Sequence, residues 1–94
     1  MILNSIIIII DDHYPACSYY LKINGGEKFI NTTISYYDTY PDMNIDKLAC
    51  THLANKLCIW LDDQTKERFD ILKNLLYKLI KQNRALRAIK EDFE

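Results

Sequence analysis

The sequence predicts an α+β fold, in which a three-stranded antiparallel sheet is followed by an antiparallel two-helix hairpin. Residues 1–40 are rich in β-branched and aromatic side chains and contain both glycines, which is typical of short strands and turns. Residues 42–94 contain no glycine and no proline, and their apolar residues recur at helical spacing. The 94 residues have the length of one domain, with a β part at 1–40 and a helical part at 42–94.

The β part contains three predicted strands. The first covers residues 2–10 and ends at the turn-forming run of residues 11–15. The second and third strands, at residues 18–23 and 28–37, flank Asn24-Gly25, which is the preferred dipeptide of a two-residue hairpin turn. The sequence therefore predicts a β-hairpin between the second and third strands.

The predicted hairpin defines a register and two faces. A two-residue loop pairs Lys22 with Glu27 and Tyr20 with Phe29, which are favourable cross-strand pairs. Alternation along the strands then separates a core face from a mixed, half-exposed face. The predicted core face carries Cys17, Tyr19, Leu21, Ile23, Ile30, Ile34 and Tyr36.

The isoleucine run of the first strand is apolar on both faces. Such a strand is usually covered on both sides, yet hairpin order places it at an edge, where an exposed apolar strand favours association. We interpret this as coverage by another chain, through strand pairing or helix packing; a central position in the sheet is the alternative. Ile7 and Ile9 are therefore predicted self-association residues.

The helical part contains two predicted helices. The first begins near Asp42 or Asn44, either of which can cap it, and is apolar around most of its circumference, so we expect it to be buried. Residues 62–65 end this helix and cap the next one. The second helix has about 28 residues and a length of ~42 Å, more than a domain of this size requires, and it is predicted to project.

The apolar stripe of the second helix narrows after Ile80. It continues as Leu86, Ile89 and Phe93, with Gln82 at a position where a polar residue can set the register of a coiled coil. This narrow seam is typical of helix pairing. We therefore predict a homodimer, with Leu86, Ile89 and Phe93 as further self-association residues.

The second helix is also basic. No acidic residue lies between Asp70 and Glu91, and the formal charge is −4 over residues 1–63 and +3 over residues 64–94. The basic residues recur every three positions, so they spiral around the helix and do not form one face, which weakens a nucleic-acid interpretation. A solvated surface, an acidic protein partner and a nucleic acid are the three alternatives. The predicted partner-binding residues are Lys78, Lys81, Arg84, Arg87 and Lys90.

Six tyrosines fall within residues 14–40. Strand propensity and core packing account for most of them. Base stacking lacks the accompanying signatures of RNA-binding sheets, whereas tyrosine-rich surfaces suit protein interfaces. Tyr20 and Tyr37 are therefore added to the predicted partner-binding residues.

Candidate catalytic and metal motifs are weak. Asp11-Asp12-His13 resembles the acidic turn of response-regulator receiver domains, where paired acids hold Mg²⁺. The segment after Asp12 predicts a hairpin, in contrast to the crossover helix of that family, so we interpret the run as a polar turn. The cysteines and histidines have no CxxC or HxxxH spacing. We predict no catalytic residue, no metal and no cofactor.

Composition also bears on location. Three cysteines, an odd number without framework spacing, favour a reducing compartment. The N-terminal residues lack the basic region of a signal peptide, and no apolar run has the length of a membrane span. We expect a cytoplasmic protein with no membrane contact.

These observations predict a non-enzymatic protein-interaction module that acts by stoichiometric binding. The small size and the Ile, Asn, Lys and Tyr content resemble proteins of phages and mobile elements that inhibit a host complex, such as anti-CRISPR proteins. A small nucleic-acid-binding regulator that uses the basic C-terminal helix is the alternative.

Overall fold

The computed structural model describes the backbone of residues 2–93 and the side chains of residues 2–89. It has the predicted α+β architecture, with one antiparallel sheet in the order β1-β2-β3 and two helices packed against one face of it. The elements are β1 (Ile6–His13), β2 (Ala16–Ile23), β3 (Lys28–Ser35), α1 (Ile45–Leu61) and α2 (Lys66–Phe93).

The first hairpin differs from the sequence prediction in its turn. β1 continues through His13, which pairs with Ala16, so the turn is only Tyr14-Pro15, joined by a cis peptide bond. The prediction of a turn beginning at residue 11 is wrong. Asp12 can occupy a strand because its carboxylate is paired with Arg84 of α2.

The second hairpin forms where predicted but in another register. Ile23 pairs with Lys28, so the loop has four residues, and Lys22 faces Phe29 while Tyr20 faces Asn31. The predicted register is wrong by two residues. A shift of two residues preserves the side-chain alternation, and the predicted core face is confirmed. Its buried members are Cys17, Tyr19, Leu21, Ile23, Ile30 and Ile34, and Tyr36 is half-buried.

Asn24 accounts for the longer loop. Its φ of 52° and that of Gly25, 69°, lie in the left-handed region that the turn dipeptide favours. The Asn24 side chain also accepts hydrogen bonds from the backbone N–H groups of Asn4 at 2.7 Å and Ser5 at 3.2 Å. It donates to the Ile2 carbonyl at 2.7 Å. The loop therefore also fastens the segment that leads into β1.

The helix boundaries follow capping chemistry. Asn44, one of the two predicted caps, accepts a hydrogen bond from the Lys47 backbone N–H at 3.1 Å. α1 ends at Leu61 and is followed by its C-cap, Asp62, which has a left-handed φ of 55°. Thr65 Oγ1 accepts from the Arg68 N–H at 3.2 Å and so caps α2. The short link between the helices makes them an antiparallel hairpin.

α2 spans the long dimension of the domain. It has 28 residues, and the Cα trace measures 40 Å along its longest axis. Its buried residues Leu72, Leu76 and Ile80 face the core, and its polar contacts with β1 continue to Arg87. Among the side chains that the structure describes, Arg87 is the last of α2 that donates to β1. Within the described part of the chain, no helix has both the length and the apolarity that crossing a bilayer requires.

Candidate interaction surface

The free edge of β1 is covered by α2 of the same chain. Asn83 Nδ2 donates to the Ile8 carbonyl at 3.1 Å, and Arg87 Nη1 donates to the Ile10 carbonyl at 3.2 Å. Four helical residues rise about 6 Å, and two strand residues span about 6.7 Å. The spacing of the two donors on α2 therefore nearly equals the spacing of the two carbonyl acceptors on β1. One helix can thus donate to every second carbonyl of a strand that runs beside it.

The contact between α2 and β1 concerns the prediction that another chain covers the apolar edge strand. The sheet order places β1 at the edge, and the central position considered as an alternative is excluded. The edge carbonyls of Ile8 and Ile10 already have donors within the chain, so edge-to-edge strand pairing would have to displace α2. At the opposite edge, Lys56 Nζ donates to the Asn31 carbonyl at 2.5 Å.

The outer face of the sheet is open. Ile7, Ile9, Tyr20 and Phe29 are 53, 55, 40 and 67 % exposed, whereas Ile8 and Ile10 on the other face are 8 and 6 % exposed. We call these four exposed residues the outer-face patch. Both helices lie on the opposite side of the sheet, so within the described chain no helix covers the patch.

The register places the members of the outer-face patch next to one another. Ile9 pairs directly with Tyr20, and Lys22 pairs with Ile7 on one side and Phe29 on the other. Polar residues share this face: Ser18 Oγ and Thr33 Oγ1 hydrogen-bond across the strands at 2.9 Å. Apolar and aromatic side chains thus lie beside Lys22 and among polar residues, a mixture that is found in protein-binding surfaces.

Arg84 is committed to contacts within the chain. Its Nε donates to Asp46 Oδ2 at 2.8 Å and its Nη2 to Asp46 Oδ1 at 2.9 Å, a bidentate pair with α1. Its Nη1 donates to Asp12 Oδ2 at 3.1 Å, which ties the same guanidinium to β1. Arg84 therefore joins three elements of the fold. It is not a free cation for a partner.

Two tyrosines complete the Arg84 network. Tyr19 donates its hydroxyl proton to Asp46 Oδ1 and Tyr36 donates to Asp12 Oδ1, each at 2.5 Å. Burial and these hydrogen bonds raise the pKa of both phenols. Burial by itself would lower the pKa of Arg84, but its bonds to the two aspartates outweigh burial and raise it. Both phenols are therefore neutral, and the guanidinium is charged, at physiological pH.

The helical members of the predicted self-association set lie at the exposed surface of α2. Leu86 and Ile89 are 68 and 54 % exposed, whereas Leu72, nearer the start of the helix, is buried in the core. The Phe93 side chain lies outside the described residues. Leu86 and Ile89 therefore remain available to a partner, and their role in pairing stays a prediction.

The predicted basic residues separate into two groups. Lys78 and Lys81 are exposed, and Lys81 Nζ lies 5.4 Å from the centre of the Tyr77 ring. Arg84 and Arg87 donate hydrogen bonds within the fold. The side chain of the fifth residue, Lys90, lies outside the described part. Fewer cations are therefore free for a partner than the sequence suggests.

The two predicted partner-binding tyrosines lie at different places. Tyr20 is in the middle of β2 on the outer face. Tyr37 follows β3 at the end of the sheet, 74 % exposed, with its ring centre 5.9 Å from that of Tyr14, which also stacks on Tyr36 at 6.0 Å. A cleft of about 550 Å³ opens beside Tyr14 and Tyr36. Tyr20 and Tyr37 therefore do not form one surface.

The described residues show no group of three or more His, Cys, Asp or Glu side chains placed to hold a metal ion. Asp12, in the run that resembles a receiver-domain turn, is paired with Arg84, and Asp11 faces His13 at 3.1 Å. The three free thiols are buried. Burial raises the pKa of each, to about 11 for Cys50, so they are protonated near neutral pH.

Comparison with protein-family models, curated proteins and solved structures gives no match to this chain. The geometry of the surface is therefore the ground for a functional proposal.

Two features of this surface were not predicted from the sequence. The first is the pairing of Arg84 with Asp12 and Asp46, which are 72 and 38 residues away in the chain. No local pattern marks such distant pairs. The second is the row Lys73, Tyr77 and Lys81. Its four-residue spacing puts the three side chains on one helix face and was visible in the sequence.

Proposed function

We propose that this chain is a non-enzymatic protein-binding module that docks its partner on the outer-face patch. The observation that carries the proposal is the exposure of Ile7, Ile9, Tyr20 and Phe29 on adjacent strands of one open sheet face. Exposed apolar side chains that are contiguous, not scattered, mark interaction sites in folded proteins.

The side-chain hydrogen bonds at both edges of the sheet support docking on its outer face. Asn83, Arg87 and Lys56 occupy backbone acceptors at the two edges, so a partner that adds a strand would meet groups already bonded. The outer face requires no such displacement. Its aromatic members Tyr20 and Phe29 offer a large contact area at low cost in side-chain entropy, as expected of residues that dominate binding energy.

We also propose self-association through the same patch, so that a second copy and a different protein partner would compete for it. Because an isologous dimer uses the same patch on both subunits, a face-to-face pair would cover Ile7 and Ile9 in each copy. Light scattering at micromolar concentration is expected to give twice the 11.1 kDa mass of the chain, and Ile9→Asp is expected to return the monomer. A monomeric wild-type protein would overturn self-association and leave the patch for a different protein.

Stoichiometric binding to a host complex, as an inhibitor of phage or mobile-element origin, is the biological setting that we propose. A nucleic-acid regulator is less favoured, because two of the five predicted basic residues, Arg84 and Arg87, donate hydrogen bonds within the fold. Binding to nucleic acid would weaken steeply with salt. Tight binding to DNA or RNA with such a slope, reduced in Lys78→Gln and Lys81→Gln, would favour the regulator.

Capture from the native host tests the protein-binding proposal. Ile9→Asp and Phe29→Asp introduce a charge at the patch, and Ile71→Asp introduces the same charge at an isoleucine of α2 that is 57 % exposed. We expect the wild type and Ile71→Asp to retain one partner at a fixed stoichiometry. The two patch variants should lose it by at least about tenfold, the effect of losing one binding hot spot.

Two results would overturn docking on the patch. Equal capture by all four proteins would place the partner elsewhere, and equal loss in all three variants would reflect general disruption. Thermal unfolding of each variant distinguishes these results, since substitution of an exposed residue should leave the stability nearly unchanged.

A further inference from the structure

The groove between α1 and α2 contains a cluster of lysines that the proposed function does not use. A cleft of about 240 Å³ is lined by Lys47, Thr51, Lys73 and Tyr77, with the buried Cys50 at its floor. Lys81 lies beside it, because its Nζ is 5.4 Å from the centre of the Tyr77 ring. The antiparallel helices thus bring one lysine of α1 and two of α2 to one place.

Lys47 and Lys81 flank the Tyr77 ring, whereas Lys73 lies over the Phe69 ring. None of the three lysines has a carboxylate partner among the described residues. Lys47 Nζ and Lys81 Nζ lie 5.7 and 5.4 Å from the Tyr77 ring centre, so the two ammonium groups are no more than about 11 Å apart. The ion pairs of the described chain involve only His13, Arg68 and Arg84 on the basic side. The nearest acidic neighbour in sequence, Asp46, is bound by Arg84.

Hydrogen-bond donors accompany the charge. The Tyr77 hydroxyl accepts a hydrogen bond from Asn44 Nδ2 at 3.2 Å, which leaves its own proton free to donate. The Cys50 thiol is protonated, since burial raises its pKa to about 11, and adds no negative charge. The cleft therefore presents positive charge and donors, and no carboxylate is among its lining residues.

We propose that this cleft binds a phosphate group. The ammonium groups of Lys47 and Lys81 together match the charge of a phosphate, about −1.5 to −2 at neutral pH, better than that of a single carboxylate, and Lys73 lines the same cleft. The volume is below the roughly 300 Å³ at which sites for drug-sized ligands begin, so the occupant is a small ion or one phosphorylated side chain. The cleft lies between the helices and the outer-face patch lies across the sheet, so the two proposals fail independently.

Amide NMR of the full chain at constant ionic strength tests this site. Inorganic phosphate and, separately, a short phosphoserine peptide are titrated against chloride as the reference anion. We expect saturable shifts at residues 44–51 and 73–81. Tighter binding of the peptide would assign the site to a phosphorylated partner, and tighter binding of the free ion would assign it to inorganic phosphate.

Matched variants show whether the cleft itself is responsible. Lys47→Gln and Lys81→Gln each remove one charge at the cleft, and Lys78→Gln removes one from an exposed position on α2 that does not line it. We expect about threefold to tenfold weaker binding in the first two variants and no change in the third. Absence of saturable shifts with both probes, or equal weakening in all three variants, would overturn the proposal.

Discussion

Arg84 of α2 and Asp46 of α1 form a bidentate ion pair, with Nε–Oδ2 and Nη2–Oδ1 distances of 2.8 and 2.9 Å. The same guanidinium reaches Asp12 of β1 at 3.1 Å. One side chain thus connects both helices with the sheet near the start of α1. This connection makes a basic residue of the C-terminal helix part of the domain's framework.

The first prediction concerns Arg84→Met, which keeps the apolar stem and removes the guanidinium. Two aspartates would then be left half-buried without their cation. Because about a third of Arg84 is exposed, water screens these charges, and the expected loss in free energy of unfolding is about 1–3 kcal/mol, below that of a fully buried pair. Urea denaturation measures the loss.

Arg68→Met is the matched control for Arg84→Met. Arg68 pairs with Asp63 at 3.2 Å at the more exposed start of α2, and removing that surface pair should cost less stability than removing the guanidinium of Arg84. Equal losses for the two variants would show that the Arg84 network adds nothing beyond a surface ion pair.

The second prediction is an acid-dependent loss of stability through Asp12. Burial by itself would raise the pKa of Asp12, but hydrogen bonds from Tyr36 and Arg84, together with the charge of Arg84, hold it below the ordinary value of 3.8. A carboxyl with a lowered pKa in the folded state stabilises the fold above the unfolded-state pKa. This stabilisation is lost as pH falls below 3.8 and through the folded-state pKa.

The free energy of unfolding measured between pH 2 and pH 7 tests this dependence. The wild type should lose stability more steeply below pH 4 than Asp12→Asn, which has no carboxyl to protonate. Parallel curves for the two proteins would rule out Asp12 as a source of the acid sensitivity.

The third prediction concerns the edge of β1. In Asn83→Ala combined with Arg87→Ala, the Ile8 and Ile10 carbonyls lose their donors, and an apolar edge strand becomes open to pairing. We expect concentration-dependent association with increased β structure, followed by light scattering and circular dichroism. Asn74→Ala, which removes an exposed amide of α2 in the groove between the helices, serves as the control and should behave as the wild type.

The fourth prediction separates the two apolar stripes of α2. Leu72 is 2 % exposed and Leu86 is 68 % exposed. Leu72→Ala should therefore lower the free energy of unfolding by about 2–5 kcal/mol, whereas Leu86→Asp should change it by less than about 0.5 kcal/mol. Thermal and urea unfolding provide the measurement. A large loss in Leu86→Asp would show that the distal helix is part of the core.

Local patterns were sufficient for the elements and for the two faces of the sheet. Alternation placed Tyr19 and Leu21 in the core. Capping preferences limited the start of α1 to Asp42 or Asn44, and the structure has Asn44 as the cap. The hairpin register could not be obtained in this way, because Asn24 is held by hydrogen bonds to residues 2–5 that no local pattern contains.

The candidate surface was predictable only in part. The isoleucine run indicated that Ile7 and Ile9 lie opposite Ile8 and Ile10, because side chains alternate along any strand. Which of the basic residues are free could not be read from the sequence, since Arg84 and Arg87 find their partners only when α2 lies beside β1.

The sequence by itself determined the α+β class, the approximate helix starts and the side-chain faces, since these depend on the preferences and spacing of neighbouring residues. The tertiary structure decided how the edges of the sheet are covered and which charges remain free. Both depend on contacts between residues as distant in the sequence as Ile8 and Asn83. Such residues come into contact only through the packing of whole helices and strands. The proposed binding face is the side of the sheet that this packing leaves open.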